Sequence, residues 1–374
     1  MRYLRVDDAS IEVPGALTVV ELAGPGGCGL TKPRRRPTSA DVATQAGVSR
    51  TTVSLVLNER GSSIPEPTRQ RVIEAARALG YFPDRAAGGL VHGRSQTMAL
   101  VLRQTAEQVA ADALLAETLR GISTAARTAH YRVLVEPVTA ATPSYGNIVR
   151  SGRADGVIVS GPTFDELEVR ALVADGFPIV IQGRVPGLGA PSVDIDNVAS
   201  ARLAVEYLIE LGHRRIACIT NAPLEYTAAA DRLTGYREAL AAAGIPVDEG
   251  LIAEGAFSAP SGQQAMAAIL AHGQPDAVFA ASDTVALGAI GAIRDAGLRV
   301  PEDLSVIGFD DIPLAAYFDP PLTTVRMPAH DLGLAAGTAM LDVISGREAP
   351  LRTLLATRVV VRSSTAPRPT GHAG

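Results

Sequence analysis

Residues 37–58, PTSADVATQAGVSRTTVSLVLN, constrain this chain more than any other stretch. Thr38 is a natural helix N-cap, and Asp41 three residues later completes the [ST]-x-x-[DE] capping signature. Val42, Ala43 and Ala46 then form one apolar stripe at helical spacing. Gly47 supplies the positive φ that ends the first helix, Val48 plugs the space between helices, and Ser49 caps a second helix. Val53, Val56 and Leu57 give that helix its buried side, which leaves Arg50, Thr51, Thr52 and Ser54 on its outer side near the N-terminus. Ile64-Pro65-Glu66-Pro67-Thr68 opens a third helix, with Val72, Ile73, Ala76 and Leu79 on one face and Gly80 as its stop. A short polar helix with an exposed first turn is what enters a major groove in helix-turn-helix proteins; the alternative is a plain three-helix bundle.

Charge separates these two readings. The net charge of −5 suits a DNA binder poorly until it is divided along the chain. Across 32–96, eleven Lys/Arg stand against five Asp/Glu, a surplus of +6, and from 97 onward twenty-one stand against thirty, a deficit of −9. A basic module on an acidic body is the asymmetry of a nucleic-acid binder. The 374 residues allow two or three domains, and 47% hydrophobic content is ample for a large core. No apolar run approaches a membrane span, and the opening MRYLRVDDASIEV carries acids where the apolar part of a secretion signal would stand. A cytoplasmic protein with no membrane partner is expected.

Catalytic and metal signatures are missing from the sequence. Cys28 and Cys218 give neither a disulfide framework nor metal spacing, and Cys218, in Ile216-Ala217-Cys218-Ile219, reads as inert core. Gly24 to Gly29 has the glycine spacing of a phosphate loop, but no Lys-Ser/Thr follows and Pro33 blocks the helix such a loop needs. With no nucleophile–base pair either, no enzyme, cofactor or metal is expected. Residues 1–36 read as a disordered extension. Its Arg34-Arg35-Arg36 run is either a solvated charge run or an arm touching phosphates without sequence preference.

From 97 the periodicity changes. Apolar strands are expected over 98–102, 132–136, 156–160, 177–181, 215–220 and 276–281, with helices over 113–129, 199–211 and 227–243. Alternating helices and nearly continuous apolar strands predict parallel sheets covered on both faces. The length fits two Rossmann-like lobes, which bind ligands at the carboxyl ends of their strands.

The phrases D-V-A-x-x-A-G-V-S, T-V-S-x-V-L-N and G-Y-x-P stand in order between Asp41 and Pro83. Further phrases are Val193-Asp194-Ile195-Asp196-Asn197, Asp231-Arg232-Leu233-Thr234-Gly235-Tyr236, Ser282-Asp283-Thr284-Val285-Ala286-Leu287-Gly288 and Leu304-Ser305-Val306-Ile307-Gly308-Phe309-Asp310-Asp311. Together they make 37–362 resemble the lactose/galactose-repressor (LacI-type) transcription regulators. The resemblance implies an all-α helix-turn-helix headpiece with a hinge helix. An α/β, two-lobed, periplasmic-binding-protein-like domain with two parallel sheets would follow. The corresponding boundaries are 37–83 for the headpiece, 84–94 for the hinge, 97–362 for effector binding and dimerisation, and 363–374 as a disordered tail.

The resemblance also assigns roles. Thr38, Ser49, Arg50, Thr51, Thr52, Ser54 and Asn58 would contact operator DNA. Arg85, Ala87 and Leu90 of the hinge would enter the minor groove, with Leu90 as an apolar wedge or, failing that, as part of the domain core. Gly88-Gly89 departs from the family pattern and lowers the hinge's own helicity. Arg232, Asp310, Ser282 and Phe257 would line an effector pocket between the lobes, with Gln104 and Arg184 as further candidates. These groups suit a polyol, and the arginine equally suits a carboxylate. Asp283 reads as supporting the pocket or capping a helix, and His213 as structural. The implied function is a dimeric repressor switched by a small molecule, a sugar in most of the family. The alternative is a sugar-binding module without DNA function. The tail carries no heptads, so no tail-mediated tetramer is expected.

Overall fold

The computed structural model describes residues 37–57, 64–81, 94–139 and 145–368. The chain divides into two compact units at Arg85/Ala86.

The first unit holds α1 (Ser39–Ala46), α2 (Arg50–Leu57) and α3 (Glu66–Leu79). Thr38 and Asp41 make the reciprocal capping box at the start of α1. Gly47 and Gly80, both at φ 64°, close α1 and α3 in the left-handed region that glycine enters without strain. The core beneath is built from Val42, Val53, Val56 and Val72, all buried, with alanines filling the gaps. Val48 and Leu57 pack against it only partly buried.

In the second unit, the apolar runs become two six-stranded sheets. The first lobe is built on β1 (Thr97–Leu102), β2 (Arg132–Pro137), β3 (Gly156–Ser160), β4 (Ile179–Gln182) and β5 (Ser192–Ile195). The second is built on β6 (Ile216–Ile219), β7 (Ile252–Ala253), β8 (Ala277–Ala280), β9 (Ser305–Asp310) and β10 (Thr323–Arg326). Two late strands, β11 (Arg352–Leu355) and β12 (Arg358–Val360), complete one sheet each. The orders are β11-β5-β4-β3-β1-β2 and β12-β10-β9-β8-β6-β7. All pairings are parallel except β10 with β12. The chain therefore crosses between lobes after β5, after β10 and after β11.

Between β1 and β2 lie α4 (Ala106–Ala111), which the sequence reading did not include, and α5 (Leu115–Thr128), the helix expected over 113–129. The break is local chemistry: Thr105 and Gln108 form a second capping box, and the Asp112 carboxylate accepts the N–H groups of Leu114 and Leu115 to start α5 afresh. Further along, α6 (Tyr145–Arg150) touches α7 (Leu167–Ala174), α8 (Asn197–Glu210) packs on α9 (Thr227–Ala242), α10 (Ala259–His272) on α11 (Asp283–Asp295), and α12 (Ala329–Ile344) on α5. Helices α5 and α12 touch backbone to backbone, since a Cβ at Gly121 would overlap the carbonyl oxygen of His330. That contact ties the return crossover to the first lobe.

Two expected boundaries are corrected. Residues 363–368 are part of the second lobe, not a disordered tail. The Ser364 hydroxyl donates to the Val306 carbonyl at 2.6 Å and accepts from the Thr323 N–H at 2.8 Å, and Ser364 is fully buried. Polar composition suggested a loose end, whereas these hydroxyls satisfy strand groups that would otherwise be left unpaired. At the other end the body begins before 97, because the Asp155 carboxylate accepts the Ser95 and Gln96 N–H groups at 2.5 and 2.9 Å. Cys218 is buried, as its strand pattern suggests. His213 is buried and bonds the Ala366 carbonyl through Nε2 at 3.0 Å.

Candidate functional site

In the first unit, Ser49, Arg50, Thr51 and Ser54 stand exposed on the outer side of α2 and Thr52 is half-buried. The Ser49 hydroxyl accepts the Thr52 N–H at 3.1 Å and lies 2.9 Å from the Thr52 hydroxyl, so this pair fixes the first turn. Arg50 and Thr51 are thereby presented at a helix N-terminus, whose partial positive charge favours phosphate nearby. Thr38 lies apart, at the N-cap of α1, with its hydroxyl 2.7 Å from the Asp41 carboxylate. Asn58, Arg85, Ala87 and Leu90 lie outside the described residues, as do Arg34–36 and Cys28.

In the second unit, the carboxyl ends of both sheets face one cleft, which encloses a cavity of about 180 Å³. Gln104 follows β1, Gln182 ends β4, Asn221 follows β6, Ser282 follows β8 and Asp310 ends β9; all line it. These are the strand ends where parallel sheets bind ligands.

Arg232, on α9, is 5% exposed and forms the centre of the wall. Its Nε donates to Asn197 Oδ1 at 3.0 Å and its Nη1 to the Ala281 carbonyl at 2.6 Å. Nη1 lies 3.7 Å from Asp310 Oδ1, and the guanidinium carbon sits 3.7 Å above the Phe309 ring. Hydrogen bonds, an ion pair and an aromatic face thus hold one plane, which fixes the direction in which the guanidinium can meet a ligand. Burial pulls the Arg232 pKa down, opposed by Asp310 and Asp194.

Asp310 holds a φ of 117° and Asp311 one of 58°, both unusual for residues with side chains. The turn is held from behind. Asp283, buried at the start of α11, accepts the Ile312 N–H at 2.9 Å and the Thr324 hydroxyl at 2.6 Å. Asp311 pairs with Arg326 and Arg362. Phe257 also adopts a positive φ, of 58°, with its N–H donating to the Asn221 carbonyl at 2.8 Å. Its ring meets Tyr226 edge-on, with centroids 5.0 Å apart. Tyr226 in turn donates its hydroxyl to the Arg103 carbonyl of the first lobe at 2.7 Å.

Of the six expected pocket residues, Gln104, Arg232, Phe257, Ser282 and Asp310 converge on the cavity. Arg184 does not line it; its Nε and Nη2 bond the Asp231 carboxylate at 3.1 and 2.6 Å, joining the two lobes. Sequence reasoning missed Asp112, Gln182, Asp194, Asn197 and Asn221. Asp194 and Asn197 lie inside a phrase already singled out, so a signal existed for them. Asp112 and Asn221 carry no local mark. Among the described residues, no group of three or more His, Cys, Asp or Glu is placed to hold a metal ion. Among them, too, no helix is long and apolar enough to cross a membrane.

Comparison with known proteins gives two family matches. Residues 38–84 match "Bacterial regulatory proteins, lacI family", and residues 205–365 match "Periplasmic binding protein-like domain". The HTH-type transcriptional regulator CelR of Thermobifida fusca is 39% identical over 88% of this chain and 99% of its own length. The HTH-type transcriptional repressor CytR of Escherichia coli K12 is 35% identical over 89% and 98%. Among solved structures, a CelR–cellobiose complex matches with a TM-score of 0.68 at 36% identity, covering 88% of this chain and all of that one. The lac repressor dimer bound to operator and the anti-inducer ONPF matches with a TM-score of 0.78 at 29% identity, covering 89% and 100%.

Proposed function

This chain belongs to the lacI family of bacterial regulatory proteins and is a DNA-binding transcriptional regulator; from that membership we propose that it is a cytoplasmic homodimeric repressor whose operator affinity is switched by a sugar or sugar derivative between its two lobes. The observation that carries the ligand half is the Arg232 plane, fixed against Phe309, Asn197 and Asp310 at the mouths of two parallel sheets. Such a group is built to orient one ligand rather than to cleave it.

Arg50, Thr51 and Ser54 read base edges in the major groove, and Ser49, Thr52, Thr38 and Asn58 position the headpiece on phosphates. The headpiece is assigned to 37–83 and the hinge to 84–94, where Arg85, Ala87 and Leu90 act in the minor groove. In the cleft, Arg232 and Asp310 hold hydroxyls, Phe257 offers an apolar face to a sugar ring, and Gln104 and Ser282 complete the polar set. Arg184 acts by bridging the lobes through Asp231. Effector binding alters the lobe arrangement and so the hinges, and operator affinity changes by the coupling energy, typically about 1–3 kcal/mol.

The test is a titration of the full chain against the DNA upstream of its own gene, with and without sugars including cellobiose. Specific, salt-sensitive binding that one sugar shifts is the expected result. Folded protein that binds this DNA with no preference over random sequence, and that no sugar affects, would overturn it.

A further inference from the structure

The cleft walls are unbalanced in charge. Three carboxylates, Asp112, Asp194 and Asp310, line the cavity beside one guanidinium, Arg232. Asp194 is held by the Ile195 N–H at 2.8 Å and by Asn197 Nδ2 at 3.1 Å. The wall also holds buried acceptors with no partner among the described residues: Asn221 Oδ1, on a residue 9% exposed, together with Gln104 Oε1 and Gln182 Oε1. An amide can turn and offer its nitrogen instead, but an ionised carboxylate only accepts. The occupant must therefore bring donors.

Asp112 comes from the first lobe, at the junction of α4 and α5, and Asp310 from the second, at the end of β9. We propose that this pair forms a charge gate: neutral or cationic donors are drawn between the two carboxylates, anionic effectors are refused, and Asp112 sets that preference. The inference rests on the effector reading of the cleft and narrows it to uncharged or basic sugars.

The groups facing Asp310 are Arg232 from α9, Ser282 and Asp283 at the start of α11, and Asp112 across the cleft. Burial pushes the Asp310 pKa up to about 7; Arg232 opposes this and Asp112 adds to it. Burial likewise raises Asp112. Because these pKa values rise on folding, the associated stability is present in full at acid pH and is lost as pH rises through the folded values. A ligand that donates into the pair favours the ionised forms. Its binding therefore releases protons and strengthens as pH rises through neutrality.

Asp112→Asn is the decisive variant, because asparagine keeps an oxygen for the Leu114 and Leu115 N–H groups. In ligand-free full-length protein, melting is compared at about pH 5 and about pH 8. The wild type should lose stability over this interval, and the variant should lose less and overtake it at the higher pH. Parallel losses would mean that Asp112 is only a helix cap and would overturn the proposal. The second arm measures binding of D-glucose, D-glucosamine and D-glucuronate near neutral pH. Glucuronate should bind at least about tenfold more weakly than the other two, and Asp112→Asn should narrow the gap by about tenfold, the equivalent of one pKa unit. Equal binding of glucuronate, or a gap unchanged in the variant, would overturn the gate while leaving the effector reading intact. If none of the three binds but the melting difference is seen, the acid pair stands and the failure falls on the sugar reading.

Discussion

In the headpiece, the polar groups of α2 stand on the surface over a small core of Val42, Val53, Val56 and Val72. In the body, the polar groups turn inward, and Arg232 lies among hydrogen bonds, an ion pair and an aromatic ring with 5% of its surface exposed. The two regions therefore couple function to stability differently. A DNA-reading side chain in water can be removed with little effect on the fold. A cleft side chain that neutralises buried charge cannot.

The sharpest way to break this contrast is Arg232→Ala. Removing the guanidinium takes the buried counter-charge from Asp310 and a donor from the Ala281 carbonyl, and breaking a buried pair costs about 3–5 kcal/mol. Denaturant unfolding should show that loss, and operator titration should show no sugar response. An unchanged midpoint would place the cleft in the same class as the headpiece surface. Arg50→Ala is the counterpart. Operator affinity should fall by about 1–3 kcal/mol, with specificity relaxed at one base position. Unfolding of the body and its sugar affinity should not move, and a change in either would contradict the separation.

Thr38→Ala probes the headpiece from inside, because its hydroxyl belongs to the capping box. About 1 kcal/mol of headpiece stability should be lost, read by its melting. A loss of DNA affinity with no loss of stability would instead assign Thr38 a direct contact. Arg184→Ala should have the smallest effect, below about 1 kcal/mol, because its bridge to Asp231 is partly exposed. Calorimetric sugar affinity decides this last point: a large drop would return Arg184 to the ligand.

Much of the headpiece was legible because its determinants are three or four residues apart. Thr38 with Asp41, Gly47, Ser49 and the valine stripe each act within one or two helical turns. The strand–helix alternation of the body was legible for a related reason, since a strand covered on both faces must be apolar throughout. Residues 363–368 were misread because Ser364 and Thr365 look like loop residues until Val306 and Thr323 are placed beside them. Helix α4 was not foreseen because its six residues are too few to show a helical period, whereas α5 lies within the helix expected over 113–129.

The sequence by itself determined the helix-turn-helix, the exposed side of its second helix, the parallel-sheet class of the body and, through the resemblance, five of the residues that line the cleft. Tertiary structure alone decided the charge balance of the cleft. It sent Arg184 to Asp231, set Arg232 over Phe309, and placed Asp112 opposite Asp310 although 197 intervening residues separate them in the chain. Helix caps and strand periodicity depend on neighbours along the chain. The energy of a buried charge depends on every group that replaces its water, and those groups arrive from elements the chain brings together only when both sheets have formed.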